Sequence, residues 1–223
     1  MSLPAARVAA AILAGGRATR MSAGGVVSAG IVKGMLVVEG RRIIDRQLAV
    51  LRPLFAEVMI SANDPDPWAD LGLRVVSDPI PSPVLGGGSG RGSGLGPLAG
   101  LDAVLTALPA TIDAVVCVAG DMPFLSAALL ERLRDRAPGA TALVPRVAGR
   151  PEPLLARYGQ QAAPIVREQL ARGAHAMIDL LARLTVTWID EAELRSLDPD
   201  LRSIVNVNTP EDLARLERQR ADG

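Results

Sequence analysis

From Ala114 to Ala119 every residue is apolar, with Asp113 before the run and Gly120-Asp121 after it. Successive side chains of a strand point to opposite faces, so a strand with no polar position has both faces covered. The run Asp113 to Ala119 is therefore expected at the centre of a parallel sheet with helices on both sides. Arg7 to Leu13 has the same character and reads as the first strand. Further strands are expected over Glu57–Ser61, Leu73–Ser77, Thr141–Val144, Leu154–Tyr158 and Val186–Ile189.

Helical spacing separates these runs. Ile43, Ile44, Leu48 and Leu51 form one apolar stripe, which Pro53 is expected to stop. Pro97 suits the first turn of a second helix, whose buried face is Leu98, Leu101, Leu105 and Leu108. Ser126 is placed to cap a third helix reaching Arg136. Helices are also expected over Pro164–Arg172, His175–Arg183 and Pro210–Arg220. Strand–helix alternation on this scale predicts an α/β fold: a Rossmann-like three-layer sandwich with a mostly parallel central sheet. Neither a repeat nor a linker interrupts it, so residues 1–223 are read as one domain.

Composition removes several classes of function. Lys plus Arg and Asp plus Glu both number 24, so the chain has no basic field to attract nucleic acid. Aromatic residues are 2% of the chain, too few for base-stacking platforms. No stretch approaches the roughly twenty apolar residues that cross a bilayer, and no signal-peptide layout is present, so a cytoplasmic location is expected. The single Cys117 lies inside an apolar run and reads as a core residue. His175, Trp68 and Trp188 read as surface or packing residues.

Ligands of open α/β sheets sit beyond the carboxyl ends of the strands, and four polar features fall there. The first strand opens into Leu13-Ala14-Gly15-Gly16-Arg17-Ala18-Thr19-Arg20-Met21. Glycine lets backbone N–H groups approach an anion, and arginine neutralises it; the same residues also suit a plain turn. Asn63 follows the second strand and Asp78 the third. Asp121 follows the central strand, where a carboxylate suits a hard cation such as Mg²⁺ or, alternatively, an Asx turn before Met122-Pro123. Lys33 is the only lysine in the chain. It reads as a surface charge or as a phosphate ligand after a glycine-rich loop.

Leu13 to Met21 followed by Lys33 resembles the nucleotidyltransferase signature Leu-Ala-Gly-Gly-x-x-x-Arg-Met…Lys. Gly96-Pro97-Leu98-Ala99-Gly100-Leu101, Gly120-Asp121-Met122-Pro123-Phe124, Arg150-Pro151-Glu152-Pro153-Leu154 and Asn206-Val207-Asn208-Thr209-Pro210-Glu211 resemble further motifs of one branch, the molybdenum cofactor guanylyltransferases (MobA family). The sheet implied is of the nucleotide-diphospho-sugar transferase type. The activity implied is transfer of GMP from GTP to the terminal phosphate of molybdopterin, with release of pyrophosphate. By the resemblance, Leu13, Ala14, Gly15 and Gly16 hold the nucleoside, Arg20 and Lys33 meet the triphosphate, Asp78 and Asn63 (or Ser61, an equally good match) help bind the nucleoside, and Asp121 binds Mg²⁺. Arg20, Lys33 and Asp121 are the implied catalytic residues. Gly96, Pro97, Arg146, Asn206 and Asn208 are the candidates for binding the acceptor. Molybdoenzymes or cofactor-delivery proteins are possible partners.

The chain departs from the pattern in two places. Ser22 to Val32 separates Arg20-Met21 from Lys33, where the family uses about half a dozen residues. A second glycine-rich expansion, Gly86 to Gly94, precedes Gly96-Pro97. Both are expected to border the nucleotide site, as lids or as loops of drifted length. Two other readings compete: a cytidylyltransferase or another nucleotidyltransferase with a different phosphorylated acceptor, and a non-catalytic nucleotide- or cofactor-binding homologue.

Overall fold

The computed structural model describes residues 7–14, 32–78, 96–136, 139–207 and 212. In chain order the elements are β1 (Val8–Leu13), a small hairpin of β2 (Val37–Val38) and β3 (Arg41–Arg42), α1 (Ile43–Leu54), β4 (Val58–Ser61), β5 (Arg74–Val76), α2 (Pro97–Ala107), β6 (Ala114–Ala119), α3 (Ala127–Asp135), β7 (Ala142–Val147), β8 (Arg150–Pro151), β9 (Leu155–Gly159), α4 (Ala163–Ala171), α5 (Met177–Leu181), β10 (Val186–Ile189) and α6 (Glu191–Leu197). The main sheet runs β10-β7-β9-β6-β1-β4-β5, with β8 paired to β7.

β1 pairs in parallel with β6 on one side and β4 on the other, β4 with β5, and β7 with β10. The all-apolar β6 is central, as its composition requires. Its side chains alternate between two cores: Val116 and Val118 face Leu48, Leu51, Leu129 and Leu133 of α1 and α3, while Val115 and Cys117 face Leu98, Leu101, Leu105 and Val166 of α2 and α4. The result is the expected three-layer sandwich. Among the described residues no helix is long and apolar enough to cross a membrane.

β9 runs antiparallel to both β6 and β7. The chain between β7 and β9 makes the β8 hairpin and folds straight back, because a parallel return needs about a dozen residues or more for its crossover. Pro53 does not stop α1, which continues to Leu54. In the last turn the missing Pro N–H deprives only the carbonyl four residues earlier, that of exposed Ala49. Ser126 caps α3 as expected, its hydroxyl accepting from Leu129 N. The β2–β3 hairpin, α6 and the short 3-10 helix Asp66–Leu71 that buries Trp68 have no counterpart among the expected elements. Apart from residue 212, the expected helix Pro210–Arg220 lies outside the described residues.

The sheet order turns back on itself at β1, whose successors go first to β4 and β5 and then return to β6 on the opposite flank. Such a reversal leaves a crevice beyond the carboxyl ends of the two strands.

Candidate active site

The ladder continues one residue beyond β1 and β6. Ala14 N donates to Ser61 O at 2.9 Å, and Gly120 N donates to Leu13 O at 3.0 Å. Ala14 and Gly120 are thereby forced together, and a Cβ on Gly120 would lie 3.2 Å from Ala14 Cα. Glycine at 120 is what allows Asp121 to emerge beside the first turn.

A cleft of about 220 Å³ opens there between the described residues. Leu13 and Ala14 form its floor with Gly120, while Lys33, Asn63, Asp78, Asp121 and the Gly96-Pro97 pair contribute to its walls. Lys33 Nζ stands 3.1 Å from Asp121 Oδ2, with the side chains 25% and 15% exposed, dry enough to strengthen the attraction yet open to a ligand. Asn63 Nδ2 donates to Asp78 Oδ2 at 2.8 Å, and Asp78 N donates back to Asn63 Oδ1 at 2.9 Å.

α2 begins on this cleft. Gly96 is its N-cap, with φ +79, a left-handed conformation that favours glycine, and Pro97 occupies the first turn. The positive end of an 11-residue helix thus opens beside Asp78 and Ser61. α2 packs closely on the sheet: a Cβ on Gly100 would come within 2.8 Å of Ser61 Oγ. Ser61 is buried, while Asn63 is exposed, and both line the cleft. Gly34 also belongs to the wall, resting on Trp68, whose Cη2 would lie 3.0 Å from an added Cβ.

Of the residues singled out from the sequence, Leu13, Ala14, Lys33, Asn63, Asp78, Gly96, Pro97 and Asp121 converge on this cleft. Arg146 is not among the lining residues. Its guanidinium lies 5.5 Å from the Trp188 ring centroid, at the far side of β7. Asn206 is not a lining residue either, but its neighbour Val207 donates its N–H to the Asp121 carbonyl at 2.8 Å. Gly15, Gly16, Arg20 and Asn208 lie outside the described residues, as do loops 22–31 and 86–94. Glu152 sits half-buried in the segment that leads to the lining residue Leu154, and burial pushes its carboxyl up.

Two further groups escaped the sequence. Asp198 accepts from Arg202 N and Ser203 N, and Ser203 Oγ accepts from Ser126 N, fastening the segment that leads to Val207 to the loop after Asp121. Gln47 reaches the same loop from α1. The second had a visible signal: a polar residue in the apolar stripe Ile43, Ile44, Leu48, Leu51.

Residues 10–186 match the MobA-like NTP transferase domain. The chain belongs to the MobA-like NTP transferase family. As a member it is a nucleotidyltransferase. It is 34% identical to a probable molybdenum cofactor guanylyltransferase of Pelotomaculum thermopropionicum over 204 residues, covering 92% of this chain and 89% of the relative. The solved molybdopterin-guanine dinucleotide biosynthesis protein A of Archaeoglobus fulgidus superposes with a TM-score of 0.72 at 27% identity, covering 96% of this chain and 100% of that one. A 4-diphosphocytidyl-2C-methyl-D-erythritol synthase of Anaerococcus prevotii shares the fold alone, with a TM-score of 0.65 at 13% identity.

Proposed function

We propose that this member of the MobA-like NTP transferase family, acting as one domain, transfers GMP from GTP to the terminal phosphate of molybdopterin. The observation that carries the reading is the convergence of Lys33 and Asp121, 3.1 Å apart, with the Asn63–Asp78 pair in one cleft at the reversal of the sheet. The names of the relatives supply the substrates.

The acceptor phosphate oxygen attacks the α-phosphorus of GTP, a new P–O–P bond forms, and the bond to the β-phosphate breaks to release pyrophosphate. The attacking group is already ionised, so no general base is required. The protein has to bring two anions together, align them and neutralise the departing charge. Lys33 serves that neutralisation. Asp78, oriented by Asn63, accepts from the N1–H and N2–H₂ edge of guanine, a donor pair that cytosine and adenine lack. The Gly96-Pro97 end of α2 receives phosphate oxygens on its positive pole.

A divalent cation fits Asp121. Among the described residues no three His, Cys, Asp or Glu side chains group together as a self-sufficient metal cage. Mg²⁺ does not need one, since it is held by one or two carboxylates together with substrate phosphates and water. Bound there, Mg²⁺ would supply charge neutralisation on the triphosphate.

Pyrophosphate release is measured with molybdopterin and each of the four nucleoside triphosphates. GTP is expected to be used at least about a hundredfold better than CTP, as hydrogen-bonded discrimination allows. Equal use of all four, or preference for CTP, rejects the guanylyl assignment. No release with any of them favours the non-catalytic reading.

A further inference from the structure

Gln47 is fully shielded from solvent on the sheet-facing side of α1. Its Nε2 donates both hydrogens to the turn after β6, one to Ala119 O at 2.7 Å and one to Met122 O at 3.0 Å. These two carbonyls bracket Asp121. Between them the Asp121 carbonyl accepts from Val207 N at 2.8 Å, and Met122 N closes the turn on Ala119 O at 3.3 Å. The turn is thus gripped from two distant parts of the chain. The amide orientation is determined, because reversing it would aim Oε1 at two carbonyl oxygens. Oε1 has no hydrogen-bond partner among the described residues. A buried amide that satisfies its donors and leaves its acceptor unmatched is poorly suited to mere packing, where Leu or Met would serve better.

We infer that Gln47 is a positioning residue, whose amide holds the 119–122 turn so that the Asp121 carboxylate stays at the edge of the cleft, ready for a nucleotide-bound divalent cation. The inference rests on the reading of Asp121 given above. Gln47 does not line the cleft, so its removal acts through Asp121 and leaves the Asn63–Asp78 side intact. Without the amide the turn samples more conformers, and cation affinity falls with the fraction that is correctly placed.

The test uses Gln47→Met, which keeps the length and loses both donors, and Gln47→Asn, which keeps the amide on a shorter stem. Leu51→Ala removes packing one turn further along α1 without removing a bond to the turn. Mn²⁺ binding is followed by electron paramagnetic resonance in the presence of a non-hydrolysable GTP analogue, alongside kcat, KM and thermal melting. Gln47→Met is expected to weaken Mn²⁺ binding and lower kcat by about tenfold each, the scale for groups that orient a metal ligand. The KM for GTP should stay within about twofold, and excess Mn²⁺ should recover part of kcat. Gln47→Asn should fall between Gln47→Met and wild type, and it decides the matter if Gln47→Met folds poorly. Leu51→Ala should lower the melting temperature while Mn²⁺ affinity and kcat hold. Wild-type Mn²⁺ affinity in both Gln47 variants, or an equal loss in Leu51→Ala, overturns the inference. Asp121→Asn separates the two levels. If Asp121→Asn abolishes Mn²⁺ binding and the Gln47 variants do not weaken it, Gln47 alone is misread. If Asp121→Asn binds Mn²⁺ as wild type does, the reading of Asp121 falls and this inference with it.

Discussion

Asn63 and Asp78 meet through two reciprocal hydrogen bonds of 2.8 and 2.9 Å, whereas Lys33 and Asp121 meet through one contact of 3.1 Å between opposite charges. The first pair includes a backbone N–H and leaves the carboxylate with lone pairs to spare, so a base can add to it without breaking it. The second pair ties up the two groups that the proposed reaction assigns to a metal-bound polyphosphate. Loading the cleft therefore means adding to one pair and exchanging the other. On the proposed reading, one wall is preformed for recognition, and the other holds its charges in mutual custody until a ligand redistributes them.

The comparison breaks first at Asp121. Asp121→Asn is expected to lower kcat by about a thousandfold, because it removes the carboxylate assigned to the cation. Lys33→Met should cost about a hundredfold in kcat, yet tighten Mn²⁺ binding in the absence of nucleotide, since Asp121 no longer has a competitor. Isothermal titration with Mn²⁺ alone reads this directly. Weaker binding in Lys33→Met would mean that the pair supports the cation site and does not compete with it.

On the other wall the effects are smaller and fall on KM. Asn63→Ala leaves Asp78 without its orienting amide and should raise the KM for GTP by about tenfold with kcat preserved. Steady-state kinetics at saturating acceptor decide it. An equal fall in kcat would show that Asn63 is engaged in the transition state.

The smallest expected effect lies away from the cleft. Arg42 donates twice to Asp45, at 2.7 and 2.9 Å, and its hydrogen bonds hold the Asp45 carboxyl below its usual range. A carboxyl lowered by folding stabilises the protein above its ordinary range, and that contribution is lost as pH falls through the lowered value. Asp45→Asn should therefore melt a few degrees below wild type at neutral pH, with the gap closing as pH falls below the ordinary carboxylate range. A gap that persists unchanged in acid would refute the ion-pair account.

The parts of the fold set by local periodicity were legible in the sequence. β6 is central because it lacks a polar position, and Asn63, Asp78 and Asp121 reach the cleft because each follows a strand of the parallel set. What stayed hidden depends on distant partners. Gln47 stands out as a polar residue within a helical apolar stripe, but nothing periodic names its partner Met122 or announces the tie from Val207 to Asp121. The reversal of β9 was readable in principle from the short Arg146–Pro153 connection. The candidate acceptor ligand Arg146 does not line the cleft formed by the described residues, and its neighbour is Trp188, a partner set by the register of β7 with β10.

Cys117 lies in register with Ala11 of β1 and Ala156 of β9, wholly shielded, with its thiol pushed up by burial. A sulfur so placed, facing α2 and α4, meets a thiol reagent only when those helices lift from the sheet. The chain has one cysteine, so its labelling rate is a clock for the opening of the sheet's centre, with no second sulfur to blur it. A nucleotide seated at the Gly96-Pro97 start of α2, as proposed above, would hold that helix down on the sheet. Occupancy of the cleft thus becomes readable as a slowing of that clock, in the unmodified protein and without turnover.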